Sequence, residues 1–240
     1  AHSAQVPAAA GLRPWREVLR PHDDVASGRF QSSEFAADLF RVATGQSQSS
    51  DYADPVEFFA RTYLTEGLRD LIDRTVRRLA GDTNASPVIN LQTNFGGGKT
   101  HSMLSLWHLA AGEPLTSFPQ EVQEVLDRAG YQNLGPVRRV AIVGNHISVN
   151  GEQRPGGVQV STLWGELAWQ LGGAEAYALV TDADRTGTAP GQVLHELLHR
   201  YAPAVILIDE WVAYARQLYD RTDLAGGTFD TQFTFAQSLT

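Results

Sequence analysis

"VINLQTNFGGGKTHSMLSLWHLA", residues 88–110, runs from a short apolar segment through a glycine-rich turn into a longer apolar stretch. The first part, 88–92, has the length and composition of a buried strand, and the last, 99–110, has helical spacing. A strand, a glycine turn and a helix in that order form an anion cradle. Consecutive glycines let backbone N–H groups converge on phosphate oxygens with no Cβ in the way, and the helix opening at Lys99 adds the positive end of its dipole. Lys99 is then placed to reach terminal phosphates, and the Thr100 hydroxyl to reach magnesium. The spacing departs from GxxxxGKS/T at its first position, Thr93, and the additional glycines Gly96 and Gly97 restore the lost pliability. The competing interpretation is an ordinary glycine-rich turn with a surface lysine. Against it, Lys99 is the only lysine among 19 basic residues. In a chain that writes its positive charges as arginine, a retained lysine marks a place for a compact ammonium.

A phosphate loop of this kind calls for a second strand that ends in an aspartate. "AVILIDEW", 204–211, supplies it: an apolar run stops abruptly at Asp209 and Glu210. Asp209 is the candidate magnesium ligand and Glu210 the candidate for polarising the attacking water. Between the two motifs the rhythm is that of strands alternating with helices. Strands are expected at 88–92, 138–143 and 204–208, and helices at 99–110, 119–129, 160–172, 190–200 and 211–220. Residues 172–191 read as a surface excursion. This alternation predicts an α/β fold, a parallel sheet with helices on both faces, over residues 86–240. "GNHIS", 144–148, at the end of the middle strand, lies on the ligand-binding edge of such a sheet. Asn145 or His146 there is either a ligand-facing residue or part of a plain loop.

Residues 1–85 read as a helical N-terminal region without strands. Ser32 or Ser33 stands as an N-cap before a face formed by Phe35, Leu39 and Phe40. A polar loop follows at 45–54. From Pro55 toward Leu79 one amphipathic stretch carries Phe58, Phe59, Tyr63, Leu64, Leu68, Leu71, Ile72 and Val76. Arg69, Arg74, Arg77 and Arg78 cluster near its end, placed either to pair with Asp70 and Asp73 on a solvated face or to serve a neighbouring subunit's phosphate.

"HELLH", 195–199, competes with this scheme because it spells the HExxH pattern of zinc hydrolases. His195 and His199 would be the ligands and Glu196 the base. Pro203 ends that helix soon after, however, and no glycine stands three residues beyond His199 to turn the chain toward a third histidine. The plain interpretation is a surface helix carrying two solvated histidines.

Composition bounds these readings. With 240 residues, 42% of them hydrophobic, the chain can bury a sizeable core. It has no cysteine, hence no disulfide and no thiolate metal site, which fits a reducing compartment, and with neither a membrane span nor a secretory signal in the sequence the default address is cytoplasmic. No stretch approaches the length of a membrane span, and no membrane partner is expected. A net charge of −8 argues against a strongly basic nucleic-acid surface, so DNA is expected only through a larger assembly.

The motifs also resemble those of a known group, the large bacterial ATPases with a conserved domain of unknown function found in phage-defence islands. The resemblance lies in "DPVEFFARTYLTEGL" (54–68), "NFGGGKTH" (94–101), "LIDEWVAYARQLY" (207–219) and "FDTQFTFAQSLT" (229–240). It implies an AAA-like P-loop fold with ATP and magnesium as cofactors. Asn94, Phe95, Gly96, Gly97, Gly98, Lys99, Thr100 and His101 would hold the nucleotide, Thr100 and Asp209 the metal, and Glu210 with Lys99 the hydrolytic step. Proteins of this group are longer and insert one more strand between the phosphate-loop strand and the aspartate strand, so the sheet is expected to be incomplete within these residues. The function so implied is ATP hydrolysis that drives or gates a larger machine, with protein partners or self-association, in phage defence or DNA handling. The alternatives are a nucleotide-gated interaction module without turnover and, further off, a zinc hydrolase.

Overall fold

A computed structural model of the chain describes residues 38–47, 50–91, 98–219, 221, 223–228, 230–232, 234 and 235, all within the unit Ala37–Thr240. Ser32, Ser33 and Phe35 lie outside the described residues, as do Asn94, Phe95, Gly96 and Gly97 of the glycine-rich turn.

The N-terminal part is helical, though more broken than its periodicity predicts. Helix α1, Leu39–Ala43, opens at Asp38, whose carboxylate accepts the Arg41 N–H. A helical turn, α2 (Ser50–Ala53), forms inside the stretch expected to be a polar loop. Asp54 then caps α3, Pro55–Ala60, by accepting from the N–H groups of Val56 and Glu57. The expected continuous helix from Pro55 divides here, because two threonines claim backbone groups for themselves. The Thr62 hydroxyl donates to the Phe58 carbonyl at 2.7 Å, and Thr65 restarts the helix as the N-cap of α4, Glu66–Leu79. Helix α4 buries Leu68, Leu71, Ile72 and Val76, a stripe at helical spacing, and exposes its charges.

Helix α5, Gly98–Leu109, is buried through its whole second half, Met103 to Leu109. It packs against α3, α4 and the aspartate strand. Helix α6, Gln120–Ala129, lies against α4 and ends at Gly130, whose left-handed φ of 94° closes the helix. Strand β1, Arg138–Val143, then enters the core. A short hairpin follows, β2 (Glu152–Arg154) with β3 (Val158–Val160), which the sequence pattern did not announce.

Helix α7, Leu163–Thr186, corrects the expected surface excursion at 172–191. The chain kinks at Gly172 and Gly173 and then resumes as helix, burying Ala176, Tyr177, Val180 and Asp184. The two glycines mark a bend against Tyr201: a Cβ at Gly172 would lie 2.7 Å from the Tyr201 Cζ. Asp184 holds the resumed helix in place. Its buried carboxylate accepts from the N–H groups of Ser161 and Thr162, the Thr162 hydroxyl and the Tyr177 hydroxyl. Helix α8, Gln192–Arg200, strand β4, Ala204–Asp209, and helix α9, Trp211–Gln217, complete the order.

Strands β1 and β4 pair in parallel, Arg138 with Ala204 through to Val143 with Asp209. Strand β4, and β1 from Val140 onward, are apolar on both faces, the pattern of strands enclosed between helical layers. On one face Val143, Val205 and Leu207 join a cluster with α4, α5 and α6; on the other Val140 and Ile142 join a cluster with α7 and α8, against which Ile206 and Ile208 pack. The fold is therefore mixed α/β with helices on both faces of a small parallel sheet.

The expected strand at 88–92 is not formed at 88–91, and Gln92 lies outside the described residues. Ser86 accounts for part of this. Its hydroxyl donates to the Val88 carbonyl at 2.7 Å and accepts the Val88 N–H at 3.4 Å, removing both groups from any ladder. Ile89 and Leu91 still pack on the first cluster. Among the described residues no helix is long and apolar enough to cross a membrane.

Candidate functional site

The site is assembled where the first turn of α5 meets the carboxyl end of β4. The buried second half of α5 lies on the sheet face carrying Val205 and Leu207, and this fixes where its first turn projects. Lys99 Nζ lies 2.6 Å from Asp209 Oδ1, a contact between residues far apart in the chain. The Lys99 side chain is 38% exposed and that of Asp209 11%. The hydrogen bond to Asp209 holds the ammonium above its ordinary range; burial opposes this, and the charges of Asp209 and Glu210 add to it. Asp209 Oδ1 also accepts the Glu210 N–H at 2.9 Å, so both contacts fall on one carboxylate oxygen.

Glu210 itself is exposed and turns left-handed, with φ 54° and ψ 27°. It is the one non-glycine residue with positive φ among the described residues, a conformation costing about 1–3 kcal/mol that surrounding structure must enforce. Gly144 leaves the room for it. Because Val143 is paired with Asp209, the next residue of β1 falls beside the next residue of β4. A Cβ at Gly144 would run into the Glu210 carbonyl oxygen, lie 2.8 Å from its carbonyl carbon and 3.0 Å from the Tyr214 Cβ. No motif singles out Gly144; the signal available for it is a glycine immediately after a buried strand.

The remaining expected residues divide. Gly98 and Thr100 stand in the first turn of α5 with Lys99. His101 is drawn the other way: its Nε2 is 3.0 Å from the Thr62 hydroxyl, its ring is 4.6 Å from that of Phe58, and burial pushes its pKa down. On the turn after β1, Gly144–His146, Asn145 is exposed, while His146 stacks on Phe40 at 4.0 Å. Arg74 pairs with Asp70 and Arg77 with Asp73, each at 2.8 Å, and Arg69 pairs with Glu121. Arg78 differs. With Thr75, Lys99, Asp209 and Glu210 it lines a cavity of about 510 Å³.

Asp209 and Glu210 carry carboxylate oxygens and Thr100, in the first turn of α5, a hydroxyl, which are donor types that magnesium takes. His195, Glu196 and His199 of the zinc alternative are exposed on α8, and neither there nor at Asp209 does a group of three or more His, Cys, Asp or Glu residues suited to a metal occur among the described residues.

A family model, the DUF499 N-terminal domain, matches residues 13–225, and the chain belongs to that family. Searches of curated proteins and of solved structures returned no match.

Proposed function

We propose that this DUF499 N-terminal domain binds a nucleoside triphosphate, ATP, together with magnesium where Lys99 meets Asp209, and hydrolyses it. The observation that carries the proposal is the 2.6 Å approach of the lone lysine to the aspartate ending a parallel strand. It supports a P-loop arrangement because both groups arrive in the required local settings: the lysine in the first turn of a helix that follows a glycine-rich segment of sequence, the acid at the carboxyl end of a buried strand.

In this reading Lys99 neutralises the terminal phosphates, and the N–H groups at the start of α5 face the same anion with the helix dipole behind them. Gly96, Gly97 and Gly98 would let the backbone approach, with Asn94 and Phe95 leading into the turn. Thr100 and Asp209 would hold magnesium, which when bound supplies charge neutralisation across the phosphates. Glu210 orients the attacking water and accepts its proton. His101, engaged with Thr62 and Phe58, acts on the geometry of α5 from behind the site. On the motif resemblance alone we extend the proposal to a cytoplasmic machine, in phage defence or DNA handling, that this hydrolysis drives or gates through protein partners or self-association.

The test is a thermal melt with and without magnesium and ATP, followed by phosphate release. Lys99→Ala should lose the ligand-induced shift. Glu210→Gln should keep it while turning ATP over at least roughly a hundredfold more slowly. Unchanged turnover in Glu210→Gln would remove the acid from the mechanism. The exposure of Glu210 favours one second reading, a nucleotide-gated interaction module without turnover. Tight binding with no phosphate release in a single-turnover assay would select it.

A further inference from the structure

Strand β1 uses one edge on β4, and among the described residues no strand stands beside the other. The Arg138 N–H donates to the Pro203 carbonyl, which sets the alternation of the parallel ladder. Arg138, Val140 and Ile142 turn their backbone groups toward β4, and Arg139, Ala141 and Val143 turn theirs outward. Outward backbone groups on an edge are a template for another chain's strand. At Ala141, the middle of the three, one side chain takes both. The Ala141 N–H donates to Gln170 Oε1 at 2.8 Å, and Gln170 Nε2 donates to the Ala141 carbonyl at 3.0 Å. A side-chain amide presents an acceptor and a donor side by side, as a peptide group does, so Gln170 of α7 pairs with β1 as a neighbouring strand would.

This pairing works in one orientation of the amide. Turned over, Nε2 would face the Ala141 N–H and Oε1 its carbonyl, two repulsive contacts. Glu166, one helical turn earlier on α7, opposes that turn. Its Oε1 takes the second Nε2 hydrogen at 2.7 Å, and a carboxylate only accepts. The other oxygen of this buried acid accepts from Arg154 of β2 at 2.5 Å, and Arg154 also pairs with Glu152 at 3.2 Å. A polar chain thus runs from the hairpin through α7 to the free edge of β1.

We propose that Gln170 is an edge guard, standing in for a strand at Ala141 and closing β1 against strand addition, with Arg154 and Glu166 as the lock that keeps its amide in the pairing orientation. The guard is independent of any ligand at Lys99 and Asp209.

The experiment is hydrogen exchange of the full chain resolved to single amides, with circular dichroism as the check of folding and sedimentation as the measure of association. In wild type the Ala141 N–H should exchange slowly, like the laddered amides of Val140 and Ile142. Gln170→Met keeps the length and removes the amide. It should speed exchange at Ala141 about fivefold, the net worth of one hydrogen bond, while Val140 and Ile142 hold their rates. The same variant should self-associate at concentrations where wild type does not. Arg154→Gln releases the lock and should speed Ala141 at least twofold, with no further effect when added to Gln170→Met, since both act through one amide. Free exchange of Ala141 in wild type would overturn the guard, and this measurement decides the question should Gln170→Met fail to fold. Unchanged exchange at Ala141 in folded Gln170→Met would overturn it equally. Unchanged association with the amide exposed would overturn the closure against strand addition, and additive effects of the two substitutions would overturn the lock.

Discussion

Replacing Gly144 with alanine adds one methyl group at the point where the two parallel strands leave the sheet. The new Cβ would overlap the Glu210 carbonyl oxygen, lie 2.8 Å from the carbonyl carbon and touch the Tyr214 Cβ at 3.0 Å. Two of these neighbours are backbone atoms, and Tyr214 is fully buried, so none of them swings aside as the end of a flexible side chain would. Forced overpacking of this kind costs about 1–3 kcal/mol. For a unit of this size 1 kcal/mol lowers the melting temperature by about 2–4 °C, so a fall of roughly 4–8 °C is expected for a mid-range cost. The functional effect should be unequal. Lys99 is carried by α5 and is untouched, so affinity for magnesium-ATP should stay within about threefold, whereas displacement of Glu210 should slow hydrolysis at least tenfold, as a misplaced catalytic group does. Differential scanning fluorimetry and single-turnover hydrolysis read the two effects on one preparation. A folded Gly144→Ala protein with wild-type turnover would refute the argument that Gly144 sets the geometry of Glu210.

Gly67 provides the opposite case: it lies exposed in α4, and a methyl group added there would meet nothing within 4 Å, so Gly67→Ala should raise stability by about 0.5–1 kcal/mol in urea melts. Asp184→Ala removes the acceptor shared by Ser161, Thr162 and Tyr177 and should cost about 3 kcal/mol, visible as a lower urea midpoint at unchanged slope. Stability should also fall with acid below about pH 6.5. Burial lowers the pKa of His101, and burial with the Arg139 charge outweighs the Tyr52 carbonyl and Asp54 in lowering that of His108. The unfolded chain takes up those protons first, so the stabilisation is complete above the ordinary histidine range and is lost as pH falls through it, at most about 1.4 kcal/mol per pH unit for each ring. Urea melts from pH 8 to pH 5.5 check this, and a flat profile would refute it.

Strands Arg138–Val143 and Ala204–Asp209 were legible because each contains a short run apolar on both faces, from Val140 in the first and Ala204 in the second, and that pattern has few other uses in a chain of this composition. The segment 88–91 has the same composition and no ladder. Strand formation needs a partner's backbone, and the side chains of one segment do not reveal who stands beside it. Local competition decided the outcome at Val88, where the Ser86 hydroxyl takes both backbone groups. The second half of α7 was hidden for a related reason. Two adjacent glycines ordinarily end a helix, and here they bend it past Tyr201, a contact that exists only after folding. The β2–β3 hairpin carried a fair signal in Pro155, Gly156 and Gly157, with φ of 82° and 76° at the glycines, but its strands are too short and polar to announce themselves by alternation.

The candidate site was legible as two separate local patterns, and the step the sequence withholds is their meeting. That Lys99 reaches Asp209 depends on how far along β4 the buried face of α5 settles, a property of Val205 and Leu207 as much as of either charged residue. Glu210 goes further beyond sequence. Glutamate has no preference for left-handed backbone, so its conformation must come from neighbours, here the Asp209 carboxylate on its N–H and the vacant Cβ position of Gly144 against its carbonyl. A parallel register that pairs Val143 with Asp209 drives the two following residues together whatever they are. The glycine at 144 and the left-handed turn at 210 therefore express one steric requirement, and a substitution that fills the first position has to be answered at the second.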